Sequence, residues 1–323
     1  MNPRNRAAPC AAGPPPDIDP DDVADYLAWK KLHSDPVQGR VTAPRPADPD
    51  GGQLDGLTRL DSVTVKKVKW LWNGRIPAGM LTMLDGDPGV GKSTLAIDLA
   101  ACVTTGKKWP DGTRCQHGNV LLMTAEEALA ETVVPRLMLA GGDRKRMWVL
   151  DKVVAADGTS RLPSLPLDIP SIKSIIKRYG IRLLIIDVLV SFLGSQVNTH
   201  QDADVRRALH PLSMMADRTG CAVLALRYLN KQGDIKNAMY RGGGSIGITG
   251  QARAVYLAAY DPEDRTGQRR IFAPVKLNVA ALPAAMGYRL VTDEASGVAS
   301  VEWTGESQHT ASELLREGPG LLT

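Results

Sequence analysis

The run Gly86-Asp87-Pro88-Gly89-Val90-Gly91-Lys92-Ser93 sets three glycines, a lysine and a hydroxyl at the spacing of a phosphate-binding loop. Glycines there let backbone amides turn inward around an anion, and a helix beginning at Lys92 points its positive end at the same place. Lys92 then reaches the outer phosphates of a nucleotide, and the Ser93 hydroxyl is placed to hold Mg2+. Gly86, Asp87, Pro88, Gly89, Val90, Gly91, Lys92, Ser93 and Thr94 are the predicted nucleotide-binding residues. Asp187 closes the apolar run Leu183-Leu184-Ile185-Ile186 and would present its carboxylate at the tip of a buried strand, as a Walker B acid orienting the metal. Hydrolysis also needs a carboxylate beside the attacking water. Glu126 and Glu127 directly follow the run Val120–Thr124 and would face the γ-phosphate if that strand lay next to the P-loop strand. Glu126 is preferred; both could instead simply favour the start of the next helix.

These residues need a scaffold that brings strand ends together. Strand-like runs occur at Met80–Leu84, Asn119–Thr124, Met147–Leu150, Arg182–Asp187, Cys221–Leu226 and Arg270–Val275, with helical stretches at Lys92–Val103, Ile169–Tyr179 and Asp202–Arg218. Gly180 and Gly220 follow two of these helices, where C-terminal caps belong. Apolar strands alternating with helices predict an α/β fold, a mostly parallel central sheet covered on both faces. Gly287–Val291 and Val298–Glu302 predict a C-terminal β-hairpin.

The chain has 323 residues, 43% hydrophobic and 23% charged, enough for a packed core of ordinary composition. Residues 57–305 carry the folded pattern. Residues 1–56 form a tail rich in Pro and Asp, predicted to be mostly disordered, with a short helix at 21–32 as its one structured candidate. Residues 306–323 are a short C-terminal tail. No apolar run is long enough for a membrane span and no secretory signal opens the chain, so a reducing cytoplasm is the expected location. Cys10, Cys102, Cys115 and Cys221 show no paired spacing, which speaks against zinc. Net charge is +4, a mild excess compatible with a polyanion, and with only 5% aromatics base stacking is not the expected mode of nucleic-acid recognition.

The order P-loop, strand-end Glu, Walker B resembles RecA-type ATPases. Trp70-Leu71-Trp72, Ile76-Pro77-Ala78-Gly79-Met80, Thr124-Ala125-Glu126-Glu127, Leu226-Arg227-Tyr228-Leu229-Asn230-Lys231 and Tyr240-Arg241-Gly242-Gly243-Gly244-Ser245 closely resemble the RepA-like AAA family AAA_25, related to hexameric plasmid replicative helicases. The likeness covers residues 64–303. It implies a RecA-like P-loop NTPase using ATP and Mg2+, with Glu126 priming water and Asp187 as the Walker B acid. It also implies that Arg253 reaches the nucleotide of a neighbouring subunit and that Lys276 approaches the same adjacent site. In such a homo-oligomer, a hexameric ring, the loop 230–244 with Lys231, Lys236 and Arg241 could line the channel and touch single-stranded DNA, or be simply a solvated basic loop, and the N-terminal tail could meet replication partners. The sequence departs from the family after Cys221–Leu226, where Arg227 and Tyr228 stand in place of a His or Gln that senses the γ-phosphate. Either could still bond a phosphate, or both could be structural. Trp70 and Trp72 could shelter an adenine or belong to the core.

Three functional classes follow. The leading one is a Mg2+-dependent ATP hydrolase acting on DNA, a replicative-helicase-like ring of a plasmid, phage or mobile element. The second is a regulatory or recombination ATPase that uses nucleotide as an assembly switch without unwinding. The third is a nucleotide-binding scaffold without turnover.

Overall fold

The computed structural model describes residues 60, 63–154, 158–199, 201–229 and 246–317. The N-terminal tail with its candidate helix at 21–32, the loop 230–244 and the last residues, 318–323, lie outside the described residues. The chain divides into two units, Met1–Lys67 and Val68–Thr323. In the first, Leu60, Val63 and Val65 are exposed. The second carries the fold.

Among the described residues, thirteen strands run in the order β1 (Trp70–Trp72), β2 (Ile76–Pro77), β3 (Leu81–Gly86), β4 (Asn119–Thr124), β5 (Met147–Val149), β6 (Val153–Val154), β7 (Ser160–Arg161), β8 (Ile181–Asp187), β9 (Ala222–Tyr228), β10 (Ala254–Tyr260), β11 (Arg269–Leu277), β12 (Ala285–Thr292) and β13 (Ala299–Ser307). Nine of them form one sheet, ordered β13-β12-β11-β10-β3-β9-β8-β4-β5, while β1-β2 and β6-β7 make two small ladders. From β10 to β5 the neighbours are parallel, and β11, β12 and β13 extend the sheet antiparallel. The predicted α/β class and C-terminal hairpin are observed.

The parallel strands are apolar on both sides because both faces are covered. Successive residues of β8 alternate between the two layers, Leu183 and Ile185 joining one core, Leu184 and Ile186 the other. The first core is filled by α1 (Lys92–Thr105), whose Leu95, Leu99 and Val103 meet Leu122, Leu224 and Leu226. After α2 (Val134–Leu139), the helices α3 (Ile169–Tyr179) and α4 (Asp202–Thr219) supply Ile172, Ile176, Leu209 and Leu212 to the second core, against Met83, Val223 and Ala225. Both α3 and α4 end at left-handed glycines, Gly180 and Gly220. After α5 (Ile246–Gln251), the chain ends its described course in α6 (Ala311–Glu317), which buries Ala311, Leu314 and Leu315 against Leu257, Ile271 and Ala285.

An aromatic cluster knits the antiparallel strands to the first core. Trp72 is fully buried, stacked on Trp109 at 5.0 Å, with Tyr256 stacked on Phe272 at 4.3 Å. Trp72 is therefore a core residue, as one of its two sequence readings has it; Trp70 is half-buried. No described helix is long and apolar enough to cross a membrane.

Candidate functional site

The P-loop follows β3 and leads into α1, so its amides face the C-terminal edge of the parallel strands. Two close approaches fix its shape. A Cβ on Gly86 would fall 2.6 Å from the Ala258 carbonyl oxygen, so only glycine lets β10 lie this close. Gly91 has φ +90°, a region that disfavours side chains, and the Leu290 side chain from β12 closes over it. Tyr288, also on β12, donates its hydroxyl to the Val90 carbonyl at 3.0 Å. The antiparallel extension thus buttresses the loop, a role without any local sequence signal.

Lys92 is buried, and its Nζ donates to the carbonyls of Gly86 and Asp87, both at 2.9 Å. Burial pulls its pKa down to about 8, against the attraction of Asp187 and other nearby carboxylates. Ser93 and the buried Thr94 begin α1, and Ser93 is hydrogen-bonded to the Asp187 carboxylate. Burial pushes Asp187 up to about 6 despite that bond. A hydroxyl and a buried carboxylate bonded to each other are an oxygen donor set that fits Mg2+. Ser93 and Asp187 would hold such an ion, and once bound it would neutralise charge on the nucleotide's phosphates.

The strand adjacency assumed for Glu126 requires a correction. That residue's predicted place beside the γ-phosphate rests on β4 neighbouring the P-loop strand, yet β9 and β8 lie between β4 and β3. At about 4.8 Å per strand, β4 runs about 14 Å from β3. Adjacency cannot be read from one sequence, because strand order depends on crossovers. Glu126 nonetheless communicates with the loop: it accepts a hydrogen bond from the Tyr228 hydroxyl at 3.1 Å, and the Tyr228 ring lies 4.4 Å from Lys92 Nζ. The two adjacent glutamates are also in different circumstances. Glu127 is tied to Arg136 at 2.8 Å, whereas Glu126 is exposed and meets only the phenol among its described hydrogen-bond partners.

The structure separates Arg227 from Tyr228. Arg227 is fully buried and forms two bonds to Asp85, 2.8 Å from Nε and 2.5 Å from Nη2, with a third to Thr249 at 3.0 Å. Its guanidinium is taken up by Asp85 and Thr249, and of the two it is Tyr228 that meets the loop, through Lys92. Asp85 is a member of this assembly that sequence reasoning passes over. Only the register pairing Asp85 with Arg227 across parallel β3 and β9 reveals it.

Arg253 and Lys276 are not brought to this site. The Arg253 amide donates to the Leu81 carbonyl at the start of β3, five residues before Gly86, or about 17 Å along the strand. Its side chain is exposed and makes no hydrogen bond or ion pair with a described residue. Lys276 pairs opposite Val255, and its Nζ donates to the carbonyls of Thr249 and Ala252 at 2.8 and 2.9 Å, closing the end of α5. Burial, followed by the Arg253 charge, lowers its pKa.

Phosphate loop, carboxylate-tipped neighbouring strands and a two-faced parallel sheet define a P-loop ATPase domain of RecA-like type. The chain belongs to the AAA domain family AAA_25, whose model matches residues 53–234. A solved structure described as an ATPase domain has this fold, with a TM-score of 0.50 and 14% identity over 68% of this chain and 84% of that one. The DNA repair protein RadA of Halalkalibacterium halodurans is 26% identical over 179 residues, 55% of this chain and 34% of that protein. RadA of Mycolicibacterium smegmatis is 38% identical over 81 residues, 25% of this chain and 17% of that protein. The chain therefore spans about a third or less of the curated relatives it matches.

Proposed function

We propose that this protein is a Mg2+-dependent ATP hydrolase that works on DNA as a homo-oligomer, a replicative-helicase-like ring of plasmid, phage or mobile-element type, in the cytoplasm. In this reading ATP lies along residues 86–94, with Lys92 on its outer phosphates and Ser93 and Asp187 as the residues that hold Mg2+. Glu126 takes a proton from the water that attacks the γ-phosphorus, releasing ADP and phosphate.

The observation that carries the oligomer is the separation of charges. Arg253 is exposed at the sheet end opposite the P-loop, too far to serve its own nucleotide, while no described arginine is bonded at the loop. A guanidinium supplied by a neighbouring copy completes the charge compensation, with Lys276 beside it. The free, buried Cys102, Cys115 and Cys221, their pKa values pushed up by burial to about 12, suit a reducing compartment. DNA contact rests on the basic loop 230–244 and on the likeness to a DNA repair protein; partners at the N-terminal tail rest on the sequence alone.

ATP turnover with and without single-stranded DNA, beside a mass measurement with a non-hydrolysable analogue, tests this reading. Stimulated turnover and a closed oligomer are expected. The RadA matches favour a second reading, a repair or recombination ATPase that assembles on DNA without unwinding. Stimulated turnover with no strand separation on a forked duplex would select it.

A further inference from the structure

Tyr228 bridges the P-loop lysine and Glu126. Its ring lies 4.4 Å from the Lys92 ammonium, and its hydroxyl donates to Glu126 at 3.1 Å. In P-loop ATPases the lysine touches the β- and γ-phosphates, and the water-positioning group lies beyond the γ-phosphate, so the space between the two belongs to that phosphate. Among the described residues, Tyr228 is the side chain that touches both. The ammonium is meanwhile satisfied by the Gly86 and Asp87 carbonyls and the aromatic face, leaving no strong pull on the ring to leave.

The backbone around Tyr228 is pinned on either side. Arg227 is locked to Asp85, and the Leu229 amide donates to the Gly86 carbonyl at 3.3 Å, with the Leu229 side chain buried in the core under α6. Movement at this position is therefore rotation of the tyrosine side chain about its own bonds. ADP, with two phosphates, can occupy the amide nest and leave the ring in place. ATP cannot, because its third phosphate needs the ring's position and the Lys92 ammonium that the ring covers, with the attacking water between that phosphate and Glu126.

We infer that Tyr228 is a specificity-determining residue that discriminates ATP from ADP by occupying the γ-phosphate position in the nucleotide-free chain and being displaced by ATP. This inference rests on the ATPase reading and deepens it. The residue is a plug, in contrast to the hydrogen-bonding His or Gln that the family resemblance leads one to expect at this place. Displacing it breaks the phenol bond to Glu126, so the same event that seats the third phosphate releases the carboxylate.

The test is a pair of affinities, MgADP and a non-hydrolysable MgATP analogue, measured by titration calorimetry on the full chain and on two variants. Tyr228→Ala empties the position and should tighten the ATP analogue about tenfold while leaving ADP within about twofold, since a cation–π contact and a charged hydrogen bond no longer have to be broken. Tyr228→Phe keeps the ring and cuts the bond to Glu126, and should give an intermediate gain; it is also the variant least able to disturb folding. A merely structural tyrosine would shift both nucleotides together, and an unchanged ratio in both variants overturns the inference. Loss of analogue binding with ADP intact overturns it in the other direction, making Tyr228 a direct phosphate ligand. If the unaltered chain binds neither nucleotide, the ATPase reading itself fails; intact ADP binding there separates the two failures.

Discussion

Asp85 and Arg227 hold each other inside the sheet, one residue before the P-loop and one residue before Tyr228. The bond is bidentate, 2.8 and 2.5 Å, and both side chains are almost fully buried. An ion pair in such a place contributes less as net attraction than as a constraint, because each partner left alone is an uncompensated buried charge. Arg227→Met alone should therefore destabilise the fold by about 3–5 kcal/mol, whereas Asp85→Leu combined with Arg227→Met should recover most of that loss. Denaturant unfolding of the two variants checks this, and an equal loss in both would show that the pair itself carries the stability.

Asp187 should make the nucleotide-free protein less stable than it could be. Its pKa is raised from 3.8 to about 6, so between those values the folded chain holds a proton that the unfolded chain has released. Stability from this group is present at low pH and is lost as pH rises through about 6. Asp187→Asn should raise the melting temperature of the free protein at about pH 8, with the gain shrinking as pH falls through 6 and gone near 4, while removing the Mg2+ dependence of nucleotide binding. Melting curves across that range decide it; a variant less stable at every pH would mean that the Ser93 contact outweighs the burial of charge.

The parts of this molecule that sequence makes legible are those in which the signal is local. The loop 86–94 needs glycines at fixed spacing, and Asp187 ends an uninterrupted apolar strand, so both announce themselves. β10 does not: Ala254-Val255-Tyr256-Leu257-Ala258-Ala259-Tyr260 is rich in alanine, which has little preference for strands, and it is held in place by β3 on one side and β11 on the other. The place of Glu126 depends on two strands inserted between β4 and β3, and the Asp85–Arg227 bond on a register between strands whose sequences lie far apart. Such relations belong to topology, which one sequence states only through resemblance.

The two neighbouring glutamates should respond differently to the same change. Glu126→Gln is expected to keep nucleotide affinity while cutting turnover by at least about 100-fold, the scale of a positioned acid–base group. Glu127→Gln removes a half-buried partner of Arg136 and should cost at most about 1 kcal/mol of stability with turnover little changed. Single-turnover hydrolysis measured beside analogue binding separates the cases, and the opposite pattern would exchange the two roles.

Arg253 offers a test of whether the proposed active site is self-contained. In the proposed reading one chain supplies Lys92 from the P-loop and Asp187 and Glu126 from the strand ends, and the exposed cation that the family resemblance singles out as a finger lies about 17 Å away at the start of β10. A guanidinium on the transferring phosphoryl group is worth about 10³–10⁵ in rate, so a site lacking one in cis should be slow until a neighbour provides it. Arg253→Ala should therefore leave ATP binding nearly intact and cut turnover sharply, and the wild-type rate per subunit should rise with protein concentration as copies associate. Mixing Arg253→Ala with Lys92→Ala subunits should restore part of the activity, because some interfaces then join an intact P-loop to an intact finger. Turnover by a monomer that does not change with concentration, or no rescue on mixing when co-assembly has been demonstrated by mass, would assign Arg253 a role within its own chain.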